Sequence, residues 1–160
     1  EGIELFKNFL VPLSAISSVC AILLRFLSTS PLYAIGIGII LFVASVVGCY
    51  ITYRIAREYL INKVPQANRT VLHLAVYSSA VFIPFHCLSS GFSEGFLSQL
   101  MAICSLLCLR TLYVGLNRLT SLDAQYRKSA LVIIGLLVIV SPIIIQQLLM
   151  IIFRIPTIYA

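Results

Sequence analysis

Residues 32–53 read LYAIGIGIILFVASVVGCYITY, 22 consecutive positions without a charge, between Pro31 and Arg54. At a helical rise of 1.5 Å per residue the run covers about 33 Å, enough to cross a hydrocarbon core about 30 Å thick. No face of it is polar, so neither an amphipathic surface helix nor a strand of alternating character accounts for it. A membrane-crossing helix does.

Four further runs share this character, and together they predict spans at 9–27, 32–53, 70–90, 95–116 and 129–153. Of the 160 residues 61% are apolar and 10% charged, and the mean hydropathy is +1.08. A soluble domain is about half apolar and a quarter charged, so water is excluded as the surrounding solvent. A β-barrel is excluded too, because 131–140 is apolar on every side where a barrel strand would alternate. The predicted fold is therefore all-α: one polytopic domain, residues 1–160, with five transmembrane helices.

The basic residues then orient the chain. Arg54, Arg57, Lys63, Arg69, Arg118, Arg127 and Lys128 fall in the links after the second and fourth spans, which share one side, joined by Lys7 and Arg110. Only Arg25 and Arg154 fall on the other side. By the positive-inside rule the nine mark the cytoplasm, placing the N-terminus inside and the C-terminus outside. The chain opens on Glu1, which leaves room for an upstream piece. Because Glu1 and Glu4 precede the first run where a basic stretch would be needed, that run reads as a span and not as a cleavable signal peptide. An odd number of spans without self-similar segments argues against inverted repeats. In the 54–69 link, Ile55, Tyr59 and Leu60 would continue span two as an interfacial helix until Pro65, with Asn68 or Thr70 capping span three.

Chemistry inside the membrane is sparse. All five acids, Glu1, Glu4, Glu58, Glu94 and Asp123, lie outside the predicted spans, which argues against a carrier that takes up its ion on a midplane carboxylate. His73 and His86 stand about 19.5 Å apart along one helix, cannot share a metal, and read as interfacial anchors. Cys104 and Cys108 share a face, but two thiols are not a zinc site. Cys20, Cys49, Cys87, Cys104 and Cys108 all lie in apolar runs and read as small buried hydrophobes. No metal and no cofactor is expected. Arg110 lies about 9 Å before the end of its span, a distance an arginine can snorkel; a substrate-binding role is the other reading.

Small residues four apart, Ser14 with Ser18, Ala44 with Gly48 and Ala75 with Ser79, predict packing faces where helix backbones approach closely. Gly91 and Gly95 bracket an outer turn. Pro84 and Pro142 bend their helices, which would fit a bundle or frame a cavity. HExxH, GxSxG, phosphate-cradling glycine loops and paired aspartates are all missing from the sequence, so no enzyme is expected. The inner cations, spread over two short links with few exposed aromatics, do not suit nucleic acid. They suit anionic headgroups, at about 1 kcal/mol per basic residue near the surface, or simply set the topology.

The stretch 68–86, NRTVLHLAVYSSAVFIPFH, with Tyr-Ser-Ser inside an apolar span that ends in proline, is followed at 109–119 by LRTLYVGLNRL and a basic link into a long last span. In this pattern, and in five spans with a short outer C-terminus, the chain resembles the Yip family, named for interaction with Ypt GTPases. The resemblance implies a non-enzymatic integral membrane protein. Eukaryotic relatives act in traffic between endoplasmic reticulum and Golgi with prenylated Rab-type GTPases; the compact prokaryotic ones are mostly without assigned function. The short stretch before span one argues against GTPase binding and the size implies a bacterial inner membrane. The expectation is a scaffolding or accessory protein that binds other membrane proteins, with small-residue faces that bind their helices and inner basic residues, Arg54, Arg57, Lys63, Arg69, Arg118, Arg127 and Lys128, that hold anionic lipid. Its candidate functional face comprises Tyr77, Ser78, Ser79, Pro84, Arg110, Tyr113 and Asn117. A small transporter or lipid-moving protein is the alternative, suggested by the two prolines and by Tyr77, Ser78, Ser79, Gln146 and Gln147.

Overall fold

A computed structural model describes residues 2–93 and 95–155. Five helices are long and apolar enough to cross a membrane: α1 (Gly2–Phe26), α2 (Pro31–Leu60), α3 (Ala67–Gly91), α4 (Phe96–Leu119) and α5 (Ala124–Ile152). Among the described residues there is no strand. All five predicted spans are present, and most run several residues beyond the apolar runs. Thirty helical residues reach about 45 Å, so α2 is longer than a hydrocarbon core about 30 Å thick requires. Its last turns continue the helix past the apolar run to Leu60, ahead of Pro65. Ala56 and Leu60 are fully buried and pack with Val64, Val71, Leu116, Leu122 and Ala130 in a small core at that end.

Local chemistry explains the helix boundaries. Pro31 occupies the first turn of α2 after an extended Ser30, where a missing N–H is harmless. The start of α3 follows Gln66, whose φ of 54° is left-handed, and no side chain caps it; neither Asn68 nor Thr70 has the capping role expected of it. Before α4, Gly95 takes φ 123°, a conformation that glycine adopts without strain. That fits the outer turn expected at Gly91 and Gly95.

Prolines and serines distort the helices in two places. Pro12 has no N–H and its ring crowds the carbonyl four residues back, and the turn just before it, Phe6–Leu10, widens into a π-helix. In α4 the helix is interrupted at Leu106 between Phe96–Ser105 and Leu107–Leu119. There the Ser105 hydroxyl donates back to the Ala102 carbonyl at 2.6 Å, a local bond that competes with the helical ladder.

The central element is α3, which touches each of the other four helices. The small residues sit where backbones meet: Ser14, Ser18, Ala44, Gly48, Ala75 and Ser79 are all buried. The packing faces expected from their spacing exist, and they serve this bundle internally. Cys49 donates from Sγ to the Ala75 carbonyl at 3.8 Å, joining α2 to α3. Thr52 donates to Gly48 O at 2.9 Å within α2 and also stands 3.2 Å from the Leu137 carbonyl of α5. The five cysteines are free thiols.

Candidate functional site

Proximities between elements sort the bundle into two ends. At one, Gly2 and Phe6 share a cleft with Tyr50, Tyr53, Asn68 and Arg69, and the Lys63 ammonium lies over the rings of Tyr59 and Tyr126, 4.1 and 4.9 Å from their centroids. At the other, Arg25 shares a cavity with Ser90 and Ser98, and Leu32 and Tyr33 share one with Phe153 and Arg154. Of 11 lysines and arginines, nine lie toward the first end, leaving Arg25 and Arg154 at the second. The described acids, Glu4, Glu58 and Asp123, also belong to the first end, in or beside the terminal turns of their helices, so it carries a cationic excess.

The seven predicted headgroup contacts all belong to this end but differ in their attachment. Arg57 is paired with Glu58 at 2.9 Å. Arg127 donates to the Leu122 carbonyl at 2.9 Å and so pins the link before α5. Lys63 is held between two tyrosines, a contact between a cation and ring faces that also keeps the charge at the surface. Arg54, Arg69, Arg118 and Lys128 are exposed. Arg69 lines two adjoining clefts, the first of about 650 Å³ walled by Ile3, Phe6, Tyr50, Tyr53 and Leu72, the second of about 360 Å³ including Glu4, Asn8 and His73. An apolar trough with an arginine and an asparagine at its rim has the amphipathic division of a lipid, chain below and headgroup above.

The predicted functional face divides into separate parts. Ser78 and Ser79 point into the core, with Ser78 donating to the Leu74 carbonyl of its own helix at 2.7 Å. Tyr77 points outward, its ring 6.0 Å from those of Phe9 and His73. Pro84 is half-buried in α3. Arg110, Tyr113 and Asn117 are all exposed on α4, and their spacing of three and four places them on one stripe of that helix. Helical azimuth is the reason: neighbours in sequence stand 100° apart, so Tyr77 and Ser78 cannot share a face.

His86 departs from the expected anchoring, whereas His73 lines the cleft at the cationic end. His86 Nε2 bonds the Gln146 side chain of α5 at 2.7 Å and its ring stacks on Phe82 at 5.1 Å, so it is turned into the bundle. Gln146 is buried and Gln147 exposed. The sequence reading missed this pair, although a histidine and a glutamine in two apolar spans are candidates for each other in hydrocarbon. It also took Arg25 only as a topological marker, whereas the residue is 2% exposed; its being the lone charge within 9–27 was the available signal.

No family model matches the chain, and neither a curated protein nor a solved structure does.

Proposed function

We propose that this chain is a non-enzymatic integral membrane protein of scaffolding or accessory type, as the resemblance to the Yip family implies. In this reading the cationic end faces the cytoplasm of a bacterial inner membrane, the C-terminus lies outside, anionic lipid is held at the cationic end, and another membrane protein docks on α4. The observation that carries it is the sorting of nine of the 11 basic residues to one end of a five-helix bundle, with the amphipathic cleft at Arg69 opening there.

Two features of α4 support the docking part. It is the least covered span, 22% of its most apolar stretch being buried against 33 to 50% in the others. Its exposed stripe carries Arg110, Tyr113 and Asn117, and polar groups that face lipid are costly unless a partner or the interface receives them.

The test is native mass spectrometry of the full chain from mixed phosphatidylglycerol and phosphatidylcholine bilayers, with tags reporting the side of each terminus. Selective retention of phosphatidylglycerol, reduced by joint substitution of Arg54, Arg118 and Lys128 with glutamine, is expected. Equal retention of both lipids, or both tags on one side, overturns the reading. Ion or lipid flux in proteoliposomes above that of empty vesicles would replace it with a carrier.

A further inference from the structure

We infer that the face of α4 proposed above as a docking surface receives one transmembrane helix of another protein, and that this helix carries an aspartate or glutamate inside its span, opposite Arg110. The inference rests on that docking and adds the partner's chemistry to it.

Ile103, Leu106, Arg110, Tyr113 and Asn117 follow one another along α4 at alternating steps of three and four, and all five are exposed. The helical path continues across the interruption at Leu106, whose φ of -66° and ψ of -12° are right-handed. Such steps make one seam along a helix that crosses its neighbour at about 20° with a left-handed twist, the usual packing of membrane helices. Leu107 and Val114, 49% and 42% exposed, flank the seam. Any lipid-facing stripe can repeat in this way. An arginine and an asparagine on it are what lipid does not accommodate, and they stand at the positions where a polar residue sets the register and partner of a helix pair.

Arg110 needs a counter-charge that its own chain does not provide. Among the described residues it has neither a hydrogen-bond nor an ion-pair partner. Glu4, Glu58 and Asp123 belong to the terminal turns of α1, α2 and α5 at the cationic end. Glu94 precedes Gly95, which caps the far end of α4, 15 residues or about 22 Å of helix from Arg110. Glu1 precedes Gly2, which sits against Leu72, whereas Gly115 of α4 sits against Leu74. Two helical steps turn by about 200°, so the start of α1 and the body of α4 lie on opposite faces of α3.

A lipid headgroup is the weaker complement. Arg110 stands eight residues, about 12 Å, before Arg118 at the basic surface. Every helical Cα–Cβ bond tilts toward the N-terminus of its helix, which for α4 is the end away from that surface. The arginine therefore leaves its helix toward the membrane interior and has to fold back to reach headgroups. A second copy of the chain does no better, since a two-fold axis along the membrane normal sets each seam residue against itself and Arg110 would meet Arg110. A carboxylate on a different helix accepts the guanidinium fork in paired hydrogen bonds, and the Tyr113 hydroxyl, one turn away, is a further donor.

Three transmembrane peptides of about 20 leucines and alanines, each with an acceptor fluorophore, are added to the donor-labelled full chain in phosphatidylcholine vesicles. One has an aspartate about 12 Å from an end of its helix, one has asparagine there, and one has neither. Energy transfer should show the aspartate helix binding at least tenfold more tightly than the plain one, the effect of one hydrogen bond to a charged group, and more tightly than the asparagine helix. Arg110→Gln, at an exposed position outside the core, should remove that preference. Arg110→Glu should transfer it to a peptide with lysine in place of aspartate. An aspartate helix that binds no better than the plain one overturns the inference and leaves the docking reading standing. The inference also falls if phosphatidylglycerol mixed into the vesicles abolishes the preference, which gives Arg110 to a headgroup. It falls equally if two labelled copies of the chain associate and Tyr113→Ala separates them, which gives the face to a second copy. A photocrosslinker at Ile103 that captures only lipid in native membranes overturns the docking reading itself.

Discussion

Gly48 of α2 and Pro142 of α5 meet backbone to backbone: a β-carbon built on Gly48 would lie 2.9 Å from both the nitrogen and the α-carbon of Pro142. Antiparallel helices in lipid gain nothing from excluding water, so their association depends on how closely they fit. A side chain of hydrogen at Gly48 lets the ring of a buried proline seat against α2, and Thr52 reaches the Leu137 carbonyl one turn further along. Pro142 thereby serves packing at this crossing.

That contact makes Gly48→Ala the most informative core substitution. Pro142 offers backbone atoms, which cannot swing aside, so overpacking of about 1–3 kcal/mol is expected, read as a lower midpoint in thermal unfolding in detergent. Gly36→Ala is the control. Its new methyl would meet only the Ile155 side chain at 3.7 Å, and a stability change near zero or a gain of up to about 1 kcal/mol is expected.

The pair of His86 and Gln146 yields a double-mutant cycle. Gln146→Leu removes the 2.7 Å bond and should cost about 0.6–1.7 kcal/mol, the range for hydrogen bonds between membrane helices. In the His86→Phe background, where the stack on Phe82 persists without a ring nitrogen to satisfy, the same substitution should cost much less. Equal costs in both backgrounds would mean that the bond does not hold α3 to α5.

Positive φ at Gln66 and Gly95 predicts opposite signs for opposite substitutions. Gln66→Gly relieves a left-handed residue and should stabilise by about 1 kcal/mol. Gly95→Ala imposes strain with no contact to offset it and should destabilise by about 1–2 kcal/mol. Chemical unfolding in mixed micelles measures both.

Retention of anionic lipid at the cationic end should depend on salt. Between 0.1 and 1 M the screening length falls from about 10 to about 3 Å, so contacts made by exposed Arg54, Arg118 and Lys128 weaken strongly. Each charge removed should lower affinity about fivefold, following from about 1 kcal/mol per basic residue. Salt-independent retention would show that the apolar cleft alone holds the lipid.

How far the sequence was legible varies by element. The span over 32–53 needed only counting, and its extension to Leu60 was half visible in Ile55, Tyr59 and Leu60; that these turns cover a buried core was not, because Leu116, Leu122 and Ala130 come from distant parts of the chain. The start of α3 at Ala67 escaped the search for caps, since a left-handed Gln66 leaves no mark in composition. The π-turn before Pro12 has a cause readable in the sequence, the proline's missing N–H and the crowding of its ring. Of the candidate face, Arg110, Tyr113 and Asn117 stayed together because one helix carries them, while Tyr77 and Ser78 parted because they are neighbours on another.

Hydrocarbon cannot hydrate a charge or a bare peptide group, and it admits a helix only if about 20 residues in a row are apolar. The number of crossings and the sorting of cations were therefore written along the chain, independent of how the helices pack. The same solvent removes any distinction between inside and outside faces, since leucine is as content against lipid as against leucine. Which helices touch, the seat of Pro142 on Gly48, the inward turn of His86 and the burial of Arg25 were decided only by tertiary fit, through contacts between residues that no periodicity relates.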